Sequence, residues 1–173
     1  MARTGYTGEH GFEIFTTPGQ TEALWSALLV AGAAPVGLGA RDVLRLEAGL
    51  PLYGHEIHEK VTPFEAGLGF GVRGWKERTF VGSAALTAAH PPSRKLVGFL
   101  GEKRVPREGY PVLSAGSEAG VICSGVWSAN LDRPIATALV NQDCDGPWTV
   151  DLRGKELPVE ITELPFIPHR SRD

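Results

Sequence analysis

The chain has 173 residues, 42% of them hydrophobic and 21% charged, with a formal net charge of −3. This is the composition of an ordinary globular chain with one large domain or two small ones, and its slight acidity gives no electrostatic reason to expect nucleic acid or an anionic membrane as partner. No run approaches the roughly 18 consecutive apolar residues that a membrane-spanning helix needs. The opening Met1-Ala-Arg-Thr-Gly reads as neither a secretory signal nor a transit peptide. Cys123 and Cys144 fit no CxxC or zinc spacing. A reducing cytoplasm is the expected setting.

A glycine-rich turn begins within five residues of Met1, and the alternation of Phe12 and Ile14 predicts a strand over Gly11–Thr16. Such a strand needs neighbours for its backbone groups, so it reads as part of a larger sheet whose other strands lie upstream. Thr17, Pro18 and Gln20 form a capping-box start for a helix. Ala23, Leu24, Ala27, Leu28 and Ala31 then recur at helical spacing, an expected core stripe, and Gly32 ends it.

A second helix is expected over Ala40–Ala48, between Gly39 and Gly49. Arg41 and Arg45 share a face, Asp42 can pair with Arg45, and Glu47 points elsewhere. Val43, Leu44, Leu46 and Ala48 are enough to bury much of this helix. Buried charges need partners, which leaves two readings of the helix, a structural ion-pair network or a binding element. His55-Glu56-Ile57-His58-Glu59 has no signalled third ligand for zinc and reads as a solvated charged loop. Leu68–Arg73 reads as a strand loosened by glycines, and Gly82–Ala89 as a short helix stopped by His90-Pro91-Pro92-Ser93.

The proline pair marks the expected domain boundary, dividing residues 1–92 from 93–173. Beyond it the pattern changes to short strands at Leu96–Leu100, Pro111–Ala115, Gly120–Ser124, Ile135–Val140, Thr149–Leu152 and Leu157–Glu163. Gly116-Ser117-Glu118 and Arg153-Gly154-Lys155 suit hairpin connections. Six strands so spaced predict a small closed or nearly closed antiparallel β-barrel, and the fold class is α+β.

GLGARDVLRLEAGLPLYGHE (37–56) and RTGYTGEHGFEI (3–14) resemble the paired motifs of the T-protein of the glycine cleavage system, the tetrahydrofolate-dependent aminomethyltransferase family. The order continues through Thr62-Pro-Phe-Glu-Ala-Gly-Leu, Phe80-Val-Gly, Arg94-Lys-Leu-Val-Gly, Pro106-Arg-Glu-Gly-Tyr-Pro-Val, Ser124-Gly and Leu164-Pro-Phe. The likeness spans nearly the whole chain but only the C-terminal half of the family's proteins. It implies the rear part of a folate-binding α/β domain in residues 1–92, incomplete alone, followed by the barrel.

Site residues follow from the resemblance one by one. Glu13, in GFEI, matches the pterin-binding glutamate; its carboxylate could accept two parallel bonds from an N–H/NH2 edge, whereas without the resemblance a solvated strand residue is the better account. Arg41, in GARD, matches an arginine used in folate binding, its planar fork suited to a flat heterocycle or a glutamyl carboxylate. Tyr6, in GYTGE, matches the tyrosine beside that pocket, with a packed turn tyrosine as the alternative, and Arg170 is the candidate for a late basic residue. His10 departs from the family, which carries an acid there.

The resemblance further implies tetrahydrofolate as cofactor and a lipoyl-bearing carrier protein as partner. The carrier's aminomethyl group gives its methylene carbon to N5 of the folate, with release of ammonia. The aspartate credited with the electrostatic role near N5 lies in the family's first half, so no catalytic residue is expected here, and the chain alone is expected to be inactive. Competing readings are a related folate-dependent demethylase, the folate domain of a sarcosine-type dehydrogenase, and a folate-binding module that transfers nothing.

Overall fold

The computed structural model describes residues 1–170. Its order is three helices, α1 (Pro18–Val30), α2 (Leu38–Glu47) and α3 (Ser83–Ala88), then seven strands. These are β1 (Arg94–Leu100), β2 (Pro111–Ser114), β3 (Ser117–Ser128), β4 (Arg133–Asn141), β5 (Trp148–Asp151), β6 (Glu156–Pro158) and β7 (Glu160–Thr162). All strand pairs are antiparallel, in the order β6-β5-β2-β3-β4-β1-β7.

The two outermost strands of that order adjoin in the chain. Leu157–Glu163, expected as one strand, is two: β6 pairs with β5 at one edge and β7 with β1 at the other. A single bent segment thus joins both edges and closes the barrel, which removes the unpaired backbone an open sheet would present. Turn chemistry sets the register of two of the hairpins. Ala115 and Gly116 between β2 and β3 both have positive φ (50° and 80°), as do Arg153 and Gly154 between β5 and β6 (57° and 84°). That pattern matches the right-handed twist of the flanking strands.

The main core lies inside the barrel. Phe99, Val112, Ile122, Ala138, Val140 and Val150 are almost wholly buried there, with Trp148 stacked obliquely on Phe99 at 5.5 Å between ring centroids. Fully burying a large apolar side chain contributes roughly 1.5–3 kcal/mol. β4 is buried from Pro134 to Val140 because both its faces are covered. Ala136, Ala138 and Val140 point inward, so Ile135, Thr137 and Leu139 point outward, where α2 packs across β3 and β4. β3 shifts register between Ile122 and Ser124, placing Ile122 in the core and Ser124 under α2.

Before the barrel, the structure departs from several expectations. Gly11–Thr16 is not a strand: Glu13 alone bridges to Ala2, through two 2.9 Å backbone bonds, and Phe12 and Phe15 are exposed. Among the described residues the alternating pattern has no neighbouring strand to satisfy it. Helix α1 forms where Pro18 predicts, but Thr17 makes no side-chain cap and bonds the Gln20 side chain instead, at 3.0 Å. Its apolar stripe is not core, for none of its residues is buried and Trp25 is 51% exposed. Local signals position a helix, but burial requires a facing surface, and the described residues supply none.

Gly69–Val72 is a short 3-10 helix rather than a strand, started by Gly71 N–H donating to the Leu68 carbonyl (2.9 Å) after a left-handed Gly67 (φ 71°). The short helix expected at Gly82–Ala89 is present as α3, and just after it His90 meets Phe64 and Trp75 in a cluster of tilted rings about 5 Å apart. Glu65 ties this region to β1: its carboxylate takes the Arg94 Nε (2.8 Å), while its carbonyl takes the Leu96 N–H (2.9 Å).

The asymmetry in burial generates one expectation. Limited proteolysis read by mass spectrometry should leave a resistant fragment beginning near residue 92, while α1 is cut early; equal resistance on both sides would contradict a two-part organisation. A second concerns acid. Burial acts to raise the Glu65 carboxyl, but hydrogen bonds from Arg94 and Thr62 outweigh it and hold the group below its ordinary 4.5. The stability it contributes is therefore complete above the unfolded value and is lost as pH falls through the lower folded one. Glu65→Gln should lower stability near neutrality and flatten the loss below about pH 4.5 in urea titrations; an unchanged acid limb would exclude Glu65 from it.

Candidate functional site

Beside the apolar barrel core lies a buried polar layer. Gly37 and Gly49 bracket α2, whose amphipathic pattern buries Arg45, Leu46 and Glu47 against the barrel. Arg45, 1% exposed, uses all three guanidinium nitrogens: Nε donates to Asp42 (2.8 Å), Nη1 to Glu56 (3.0 Å) and to the Leu50 carbonyl (3.3 Å), and Nη2 to Ser124 (2.8 Å). Glu56, also 1% exposed, accepts in addition from the Leu52 N–H (2.9 Å) and the Thr137 hydroxyl (2.5 Å). The expectation of a solvated loop at His55–Glu59 is thus corrected at Glu56, because Arg45 draws that carboxylate inward. His55 beside it places Nδ1 3.1 Å from the Cys123 carbonyl and 3.4 Å from Glu108.

Two residues further along α2, at its last position, Glu47 reaches the far end of β3. Its oxygens accept from the Ser128 hydroxyl (2.5 Å) and the Asn130 amide (2.7 Å). No buried side-chain nitrogen or oxygen among the described residues lacks a partner. Cys123 lies in the same layer, and burial, reinforced by the Glu56 charge, pushes its thiol up to about 12, so it is no nucleophile.

The four residues singled out from sequence are placed unevenly. Tyr6 and Arg41 meet, with the guanidinium carbon 4.5 Å from the ring centroid. The Tyr6 hydroxyl donates to the Pro51 carbonyl (2.5 Å), and burial, opposed by Arg45, pushes it up from its ordinary 10.0, so it stays protonated. Glu13 is exposed, and its Oε2 accepts from the Thr4 hydroxyl (2.5 Å). Arg170 is exposed too, 3.6 Å from Glu9.

Two cavities flank α2. One of about 780 Å³ lies between Gly49–Pro51, Ala66–Phe70, β1 and Ile161–Pro165; it is mainly apolar, with Lys95 and His169 at its edges. The other, about 510 Å³, is lined by Glu9, Glu47, Asn130, Phe166 and Arg170, among others. Tyr6, Glu13 and Arg41 line neither. Sequence reasoning did not find Glu56, Ser124, Thr137, Ser128 or Asn130 as partners of α2. The one signal available was that a helix with buried charges must have partners somewhere. No cluster of three or more metal-binding side chains occurs among the described residues.

A helix carrying buried charges, keyed onto a closed barrel and contacting a glycine-rich loop, defines a two-part α+β chain with its motif residues on the first part. The model of the GCVT N-terminal domain matches residues 1–76, and that of the glycine cleavage T-protein C-terminal barrel domain matches residues 94–167. An aminomethyltransferase from Streptomyces avermitilis is 51% identical over 96% of this chain and 48% of its own length. One from Thermus thermophilus is 48% identical over 97% of this chain and 47% of its own. The solved glycine cleavage system aminomethyltransferase T from Bartonella henselae superposes with a TM-score of 0.89 at 36% identity, over 97% of this chain and 49% of that one. The chain belongs to the glycine cleavage T-protein family, and it spans about half the length of the curated relatives it matches.

The network predicts its own failure. Arg45→Ala should cost roughly 3–5 kcal/mol in denaturant unfolding, since it leaves the Glu56 carboxylate buried without its cation. Arg45→Met with Glu56→Gln should recover a large part of that loss. A cost below about 1 kcal/mol for the single change, the usual scale of an exposed pair, would mean that the guanidinium is not buried against Glu56.

Proposed function

We propose that this chain forms the folate-contacting and barrel portion of an aminomethyltransferase, working in the cytoplasm on a lipoyl-bearing carrier protein. The observation that carries this reading is the meeting of two motifs. Tyr6 of the loop and Arg41 of the helix, far apart in sequence, are in contact, and both lie on stretches shared with relatives named aminomethyltransferase.

The donor set suits a reduced pterin with a glutamyl tail. Glu13 offers a carboxylate of which Thr4 engages only Oε2 among the described residues, which leaves room for an N–H/NH2 edge. Tyr6 offers a ring held by its hydroxyl, and Arg41 an exposed guanidinium able to meet a carboxylate. Arg170, tied to the motif loop by its N–H at Gly8, is a second cation for the tail. Tetrahydrofolate, when bound, supplies the nucleophilic N5 that takes the methylene carbon. The residues here would orient it, and orientation is a large share of what such a transfer requires. None of them stands out as the carboxylate needed beside N5, so transfer depends on residues other than these.

In a protein that joins this chain to the first half of the Streptomyces avermitilis relative, Glu13→Ala should weaken tetrahydrofolate binding by roughly 1.5–3 kcal/mol, the scale of a hydrogen bond to a charged group. The unfolding midpoint should hardly move, because Glu13 is exposed. Methylenetetrahydrofolate formation from an aminomethylated lipoyl carrier should appear with the joined protein and not with the isolated chain. An unchanged folate affinity would remove Glu13 from the site, and comparable turnover by the isolated chain would place the acid within these residues.

A further inference from the structure

After β7 the chain leaves the barrel and runs back across the first part. Ile167 N–H donates to the Glu47 carbonyl (2.9 Å), and Arg170 N–H donates to the Gly8 carbonyl (2.9 Å). Between them, His169 Nε2 lies 2.6 Å from the Ala48 carbonyl. A carbonyl oxygen can only accept, so Nε2 carries the proton in this contact. Within four residues the strap thus holds both the C-terminal end of α2 and the motif loop.

Gly8 is where these elements converge. Its φ of 71° favours glycine, and a Cβ there would stand 2.8 Å from the Ala48 Cβ and 3.3 Å from the His169 ring. Two residues before it, Tyr6 faces Arg41 and bonds the Pro51 carbonyl. These residues therefore lie in a circuit: Arg41 on α2, Tyr6, Gly8, the strap that bonds Gly8 through the Arg170 N–H and runs close beside it at His169, and Ala48 at the end of α2 again. The opening segment has no helix and only the Ala2–Glu13 bridge, so the position of Tyr6 must be imposed from outside. The Glu9–Arg170 pair cannot supply this, being exposed at 3.6 Å.

We propose that His169 is a positioning residue, whose bond to Ala48 and close approach to Gly8 fix the strap that holds the motif loop, so that Tyr6 stays stacked on Arg41. Its bearing on tetrahydrofolate rests on the function proposed above; its bearing on Tyr6 does not. A merely structural histidine would change the stability of the strap and leave Tyr6 where it is.

The test uses the whole chain with ring-labelled tyrosine, read by NMR. Only Tyr53 and Tyr110 accompany Tyr6, and Tyr110 packs against the barrel core as an internal control for folding. His169→Phe, which keeps a ring but has no donor, should shift and broaden the Tyr6 signals and leave Tyr110 in place. His169→Gln, whose amide can donate to the same carbonyl, should restore the parent Tyr6 signals. Unmoved Tyr6 signals in His169→Phe, or identical Tyr6 signals in the Phe and Gln variants, overturn the proposal. In the joined protein, tetrahydrofolate affinity should fall roughly three- to tenfold for His169→Phe, the equivalent of one hydrogen bond, and recover in His169→Gln. Displaced Tyr6 signals with no folate binding by any variant, the parent included, would sink the folate reading and uphold the role of His169. Parent-like affinity in His169→Phe, where Glu13→Ala has lost it, would overturn the bearing of His169 on the pocket.

Discussion

The Arg45–Glu56 pair is the constraint on which the arrangement of this molecule depends. Removing two charges from water costs more than their attraction returns unless every remaining proton and lone pair also finds a partner. Here those partners come from four places: Asp42 on α2, the Leu50 and Leu52 backbone in the turn, Ser124 on β3 and Thr137 on β4. A shift of α2 by one turn along the barrel would leave a charge buried and unmatched. The network therefore selects one seating of the helix, and every motif residue carried by α2 inherits that seating. Arg41 owes its place over Tyr6 to a guanidinium one turn further along the same helix.

The two parts of the chain obey different physics. Inside the barrel, cohesion is apolar and local to residues 97–150. Between barrel and α2 it is polar and directional, carried by Arg45, Glu47 and Glu56 on one side and by neutral hydroxyls and an amide on the other. The barrel thus contributes acceptors and donors that water could also satisfy, whereas the first part contributes charges that it could not leave buried alone. Dependence across this interface is one-sided, which suits a barrel that serves as a platform for motif-bearing segments with little core of their own.

Much of this was legible in the chain, for identifiable reasons. Alternating strands and the glycine-bearing turns announced the barrel, because closed antiparallel sheets are written in short-range signals. α2 covers most of the expected Ala40–Ala48 but begins two residues earlier, at Leu38, so Gly39 lies inside the helix and Gly37 is its N-cap. The errors fall where local pattern needs a distant partner. α1 has the periodicity of a core helix and nothing to pack on among the described residues, and Gly11–Thr16 has a strand's alternation without a ladder. Glu56 looked solvated because its cation lies eleven positions back on another element, and its hydroxyl partner eighty-one positions ahead. The resemblance of the motifs identified the family, and of the four residues it singled out the structure brings Tyr6 and Arg41 together, while Glu13 and Arg170 are exposed and contact neither of them.

The bent segment that carries both β6 and β7 has a consequence for the order of events in folding. Gly98 pairs with Thr162 and Thr149 with Pro158, so each end of the sheet waits for the same few residues near the end of the sequence. Until they arrive, β1 to β5 can form hairpins and a meander, but the sheet has two raw margins. Ring closure of this kind is a long-range event that must meet its entropy cost before its contacts are rewarded. Assembly of the barrel is accordingly a late, nearly all-or-none act, in which one short stretch of chain acts as both latch and hinge pin.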